Sequence, residues 1–150
     1  MNNTRIHIAQ AMFNVADEYD WLSQCDEDGA VVTFIGKVRN HNLGDSIITL
    51  TLEHYPGMAE KVMADIIVQA RDRWPLQKVS LIHRVGRLCP GDEIVFVGIT
   101  SAHRSTAFVA AEFIMDYLKT RAPFWKREVT SGGERWVESR HSDENAADRW

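Results

Sequence analysis

Two cysteines, four prolines and no apolar run longer than a strand mark this 150-residue chain by what it lacks. Cys25 and Cys89 stand far apart, and no second cysteine pair or histidine cluster appears at metal-ligand spacing. That argues against a structural zinc site and against a disulfide framework. No stretch approaches the roughly 20 apolar residues that span a bilayer, and the first residues lack the apolar core of a secretory signal. A soluble, cytoplasmic protein is the expectation. A basic excess is missing too: 17 Lys and Arg stand against 21 Asp and Glu, for a formal net charge of -4. Binding nucleic acid with the whole surface needs a dominant basic field, so any anion site here must be local. With no P-loop pattern and no paired metal-binding carboxylates, a stand-alone phosphoryl-transfer or phosphatase enzyme ranks last among the readings of function.

What is present reads as one ordinary globular domain over residues 1–150, with 45% hydrophobic and 25% charged residues. A strand is predicted at Arg5 to Ala9, a short helix at Val15 to Leu22, and a β-branched strand at Ala30 to Val38. Residues 39–46 are polar and contain glycine, which predicts a loop. It leads into a strand at Ile47 to His54, whose Ile48, Leu50 and Leu52 alternate with Thr49, Thr51 and Glu53 as if one face were buried. After Pro56-Gly57, apolar residues at three- and four-residue spacing from Val62 to Trp74 predict a core helix stopped by Pro75. Val79 to Val85 alternates as a strand, residues 89–92 form a turn, and Ile94 to Thr100 is a more fully buried strand. A long helix follows with Ser101 as N-cap, Phe108, Ala111, Ile114, Met115 and Leu118 on its core face, and Pro123 at its end. A hairpin around Ser131-Gly-Gly133 and a polar helical tail from about residue 139 complete the chain. The order of elements suggests an α+β fold with a mixed or mainly antiparallel sheet.

Three basic groups lie at element boundaries: Lys37 with Arg39, His103 with Arg104, and Lys119 with Arg121, Lys126 and Arg127. Boundaries are where a rigid scaffold presents functional side chains, although a lone exposed cation is ordinarily a solvated charge. His103 and Arg104 fall in the first turn of a helix, where free N–H groups and the dipole favour an anion and basic side chains disfavour the helix itself. Lys119 ends the same helix, where a cation needs no functional reason. Phe124 and Trp125, however, put aromatic surface between Lys119 and Lys126, and partial burial moves a lysine pKa toward acid–base or nucleophilic use. Sixteen residues of helix separate His103 from Lys119 by about 24 Å. If both serve one small ligand, a two-fold dimer that sets one chain's helix start beside the other's helix end is the simplest arrangement.

The segments DEDGAVVTFIGKVRNHNLGD (26–45), LEHYPGM (52–58), PGDEIVFVG (90–98), SAHR (101–104) and MDYLKTRAPFWKRE (115–128) closely resemble the large, catalytic subunit of molybdopterin synthase. The likeness implies an α/β hammerhead-type fold and a sulfurtransferase that converts cyclic pyranopterin monophosphate (precursor Z) to molybdopterin by adding two dithiolene sulfurs. It implies that sulfur arrives as a thiocarboxylate on the Gly-Gly C-terminus of a small ubiquitin-like subunit, within a heterotetramer built on a homodimer of the large chain. It implies no metal and no cofactor, and it leaves Cys25 and Cys89 as ordinary thiols. By matching position, Lys119 and Lys126 are the implied catalytic residues. Lys37, Val38, Arg39, His103, Arg104, Arg127 and Glu128 would line the substrate site with them, and Phe34 and Met115 would wall the pocket. The competing reading is a non-catalytic module that binds an acidic partner or RNA through residues 119–127, with Phe124 and Trp125 stacking on bases.

Overall fold

A computed structural model of the chain describes residues 2–137 and 140–150. The described strands form two sheets. In the first, β1 (Thr4–Ala9), β5 (Val79–Arg84), β7 (Glu93–Ser101) and β2 (Ala30–Lys37) lie side by side in that order. Only β1 and β5 run parallel there, and the other neighbours are antiparallel. In the second, β3 (His41–Asn42), β4 (Asp45–His54), β8 (Phe124–Thr130) and β9 (Gly133–Val137) follow one another, and β6 (Gly86–Leu88) also pairs with β4. This is the expected α+β class. The tail's expected start at about residue 139 lies outside the described residues.

Helices cover both faces of the first sheet. On one side α2 (Met58–Arg73) and α3 (Arg104–Arg121) bury Met63, Ile66, Ile67, Phe113 and Ile114 against Val79, Leu81, Val97 and Ile99. On the other, α1 (Val15–Leu22) lays Leu22 on Ile82 and Phe96. All six residues of β5 are therefore buried, not every second one as its alternation suggested. Gly98 shows how tight the α1 side is, because a Cβ there would come within 2.4 Å of Leu22 Cδ1 and 2.8 Å of Phe96 Cε1. Gly98→Ala is expected to cost about 1–3 kcal/mol by overpacking, read as a lower urea midpoint with unchanged slope.

Element bounds follow the sequence reading closely, with four differences of physical interest. Ser101 ends β7 and donates its hydroxyl to the Pro75 carbonyl (3.0 Å), so His103 occupies the N-cap of α3 and caps it with no side-chain bond. Phe108 is 62% exposed, outside the core stripe of α3. A register shift between Ile47 and Thr49 turns Ile48 outward (56% exposed) and Thr49 inward, which breaks the alternation read there. The polar stretch 39–46 contains a small hairpin, His41 pairing with Ser46 and Asn42 with Asp45, with Leu43 at φ 52 and Gly44 at φ 83 in its tip.

The C-terminal helix α4 (His141–Asp148) returns to α3. Trp150 sits edge-on to Trp74 (5.7 Å) and Phe113 (5.6 Å) and donates its indole N–H to Asp116 (2.7 Å). Arg149 pairs with Glu112 and Asp116. Among the described residues no helix is long and apolar enough to cross a membrane.

Candidate active site

Where the second sheet meets the end of β2 and the last turn of α3, the chain encloses a cavity of about 380 Å³. Strand periodicity sets its floor. Residues two apart on β8 share a face, so Lys126 and Glu128 both point inward, opposite Leu52 and Leu50 of β4 and Val137 and Arg135 of β9. Lys37, Val38 and Arg39 enter from the end of β2, where a register shift between Gly36 and Lys37 re-aims the chain. Lys119 reaches in from α3, and Arg140, Ser142 and Asp143 close the cavity from the C-terminal segment. Among the described lining residues cations outnumber acids five to two: Lys37, Arg39, Lys119, Lys126 and Arg140 against Glu128 and Asp143.

Glu128 is only 3% exposed and spends its charge locally. Asn42 Nδ2 donates to one carboxylate oxygen (2.6 Å) and Arg135 Nε to the other (3.1 Å). Arg135 further reaches Asp45 (2.8 Å) and the Asn42 carbonyl (2.8 Å), and Arg140 donates to Asn42 Oδ1 (2.5 Å). The cavity is thus left strongly cationic, a field suited to a phosphorylated small molecule.

Burial, and next the Lys119 charge, push the Lys126 amine down to about 8. A lysine titrating there exchanges its proton near neutral pH, unlike an ordinary surface lysine. Behind it, Phe124 stacks flat on His83, with centroids 3.9 Å apart and planes 10° apart. His83 is buried. Desolvation holds it down to about 4 against the bond its Nδ1 makes to the Arg84 carbonyl (2.8 Å), and the Lys126, His54 and Lys119 charges act with desolvation. A neutral ring with Nδ1 as the donor follows, since a carbonyl only accepts. Because the folded value lies below the unfolded value of 6.5, stability from this group is complete above pH 6.5 and is lost as pH falls toward 4. Urea unfolding from pH 7 to 4 is expected to lose about 3 kcal/mol more in wild type than in His83→Gln.

The remaining expected residues lie elsewhere in the single chain. His103 and Arg104 are exposed at the far end of α3, outside the cavity. Arg127 faces the opposite side of β8, paired with Glu134 (2.8 Å) and lying over the Trp136 ring at 5.9 Å. Arg121 covers the Tyr117 ring at 3.7 Å. Phe34 and Met115 line an adjoining apolar groove of about 440 Å³ with Phe108 and Ala111, and Lys119 and Asp143 border both spaces. Phe124 stacks on His83 inside the protein and Trp125 is exposed on the outer face, so the pair forms no joint platform for bases. Among the described residues no group of three or more His, Cys, Asp or Glu could hold a metal ion. Asn42, Arg135, Arg140 and Asp143 had no signal in the sequence beyond polarity in a loop, a hairpin and a tail.

The family model described as "MoaE protein" matches residues 8–121. A molybdopterin synthase catalytic subunit from Yersinia pestis is 75% identical over 150 residues, covering 100% of this chain and 99% of that one. Among solved structures, the molybdopterin biosynthesis MoaE protein from Burkholderia ambifaria MC40-6 superposes with a TM-score of 0.83 at 44% identity, covering 98% of this chain and 97% of the other. The molybdopterin synthase from Staphylococcus aureus does so with a TM-score of 0.81 at 32% identity, covering 92% and 98%.

Proposed function

The chain belongs to the MoaE family of molybdopterin synthase catalytic subunits, and from that premise we propose that its cationic cavity is where sulfur is added to cyclic pyranopterin monophosphate. The observation that carries this reading is the pairing of Lys119 with a half-buried Lys126, whose amine titrates near 8, in a cavity with a surplus of cations. Arg39 and its cationic neighbours hold the phosphate by charge-assisted hydrogen bonds. Each sulfur addition forms a carbon–sulfur bond and expels oxygen from that carbon, water then cleaves the acyl–sulfur bond to release the donor as a carboxylate, and the expelled oxygen leaves as water only if it is protonated. Lys126, with its proton loosely held, supplies that proton, and Lys119 stabilises the negative charge that builds as sulfur attacks.

The sulfur itself comes from outside the chain. Cys25 and Cys89 are free thiols, and neither lines the cavity. The donor is the thiocarboxylated Gly-Gly C-terminus of a small ubiquitin-like subunit. The apolar groove walled by Phe34 and Met115 is the path by which an extended tail reaches Lys119, because that lysine borders groove and cavity alike. Two large chains form a homodimer in which His103 and Arg104 of one protomer complete the phosphate site of its partner. A small subunit on each gives a heterotetramer. Residues 1–150 act as one domain, working in the cytoplasm without a metal or cofactor of their own.

The test is reconstitution. Purified chain, thiocarboxylated small subunit and precursor Z should yield dithiolene product. Intact, folded chain that forms none would favour the binding-module reading instead.

A further inference from the structure

Lys126 and Glu128 are two residues apart on one face of β8, so an unconstrained Glu128 would be the natural partner for the Lys126 amine. Yet among the described residues no carboxylate lies within ion-pair distance of Lys126, and both Glu128 oxygens are engaged elsewhere. The hub of that engagement is Arg135, directly across the β8–β9 ladder from Glu128. Its guanidinium makes three bonds, to Glu128, to Asp45 and to the Asn42 carbonyl, and the last two tie it to the β3–β4 hairpin.

We propose that Arg135 is a positioning residue for the sulfur-transfer reaction: it holds the Glu128 carboxylate in an ion pair directed at the hairpin and so withholds it from Lys126. This rests on the functional reading above for its consequence, but not for its geometry. Arg135 lines no part of the cavity, and it acts through Glu128 and Asn42. A fork-shaped guanidinium suits the task, because its planar donors satisfy two carboxylates and a carbonyl at once, which a lysine ammonium on a flexible stem does not match. With Glu128 so held, the lysine keeps a weakly bound proton, and the cavity keeps its surplus positive charge for substrate.

The other charged or titratable groups around Lys126 are Lys119 from α3, Asp143 and Arg140 from the C-terminal segment, Lys37 at the end of β2 with Arg39 just beyond it, and His83 from β5, on which His54 of β4 also acts. Asp143 and Glu128 are the acids among them, and both act to strengthen proton binding at Lys126. Removing Arg135 frees one of these two acids and leaves every cation near Lys126 in place.

The decisive measurement follows the side-chain titration of Lys126 by NMR in protein with isotope-labelled lysine, the resonance being assigned by its loss in Lys126→Met. The wild-type midpoint is expected near 8. Arg135→Gln should raise it by about one pH unit as Glu128 turns to the lysine. Arg135→Lys should restore part of the difference, and Glu128→Gln added to Arg135→Gln should bring the midpoint back toward wild type. Should Arg135→Gln not fold, Asn42→Ala releases the other Glu128 oxygen and should give a smaller rise. A folded Arg135→Gln with the wild-type midpoint would overturn the proposal. So would an equal rise with Glu128 already replaced, or an unchanged midpoint in Asn42→Ala. Since the titration reads a side chain without turnover, its failure is separable from failure of the proposed reaction. In turnover, Arg135→Gln should shift the pH dependence of kcat by the same amount and change KM far less.

Discussion

Lys126→Ala and Lys119→Ala are each expected to slow single-turnover dithiolene formation by about 10²–10³-fold while leaving the chain folded. The two losses have different causes, and pH tells them apart. Lys126 acts as a proton donor with a value near 8, so the wild-type rate should fall as pH rises through 8. Lys126→Arg, which stays protonated throughout, should lose that limb together with most of the rate. Lys119→Ala should keep a falling limb but shift it upward, because the Lys119 charge is one of the forces that hold the Lys126 value down. Wild-type rates in both alanine variants would remove these lysines from the chemistry.

The second large effect concerns the distance between the two ends of α3. His103 and Arg104 are exposed at one end, Lys119 lines the cavity at the other, and a rigid helix of that length separates them by about 24 Å. In the proposed dimer each substrate site takes its lysines from one protomer and its His103 and Arg104 from its partner. A Lys119→Ala chain and a His103→Ala/Arg104→Ala chain should then each form a homodimer with two damaged sites. Random mixing places half the dimers in the mixed form, and each mixed dimer holds one intact site. Co-refolding equal amounts should restore about a quarter of wild-type activity. If the mixture is no more active than either parent, the two groups do not share a site across chains.

Much of the fold was legible because the long elements carry strong patterns. The 3.6-residue stripe from Met63 to Ala70, the β-branched runs of β2 and β7 and the glycines between β8 and β9 gave those elements to within a residue or two. What escaped depends on partners remote in sequence. β6 is three residues long and exists only because β4 lies beside it. Ile48 is turned outward by a bulge whose cause is pairing with β8. Phe108 looked like a core residue because apolar spacing alone does not say how far round the helix the buried stripe extends.

The candidate site divides in the same way. Lys126 stood out by its aromatic flank, a local signal, and Lys119 by its neighbours. Arg127 was expected at the site by matching position with the family, and within the single chain strand alternation turns it to the other face of β8, toward Glu134. The bonds that Asn42, Asp45, Glu128 and Arg135 make to one another span four strands and some ninety residues of chain, with no trace in local composition. Likewise, nothing in a strand-like alternation around His83 announces a neutral imidazole stacked on Phe124 at the back of the cavity.

The helix α3 has one more consequence, for how this chain tolerates changes of length. In the proposed dimer it presents His103 and Arg104 at its start to one substrate site and Lys119 near its end to another, and so it fixes both a separation and a phase. Inserting a single residue at its middle would lengthen it by only about 1.5 Å but would rotate Lys119 by about 100° relative to His103. Four added residues would nearly restore the phase while stretching the span by about 6 Å. Neither change leaves both ends in register with a fixed two-fold partner. Variation in length is therefore cheap in the hairpin tips at Gly44 and Gly133, where added atoms meet open space, and α3 behaves as the molecule's ruler.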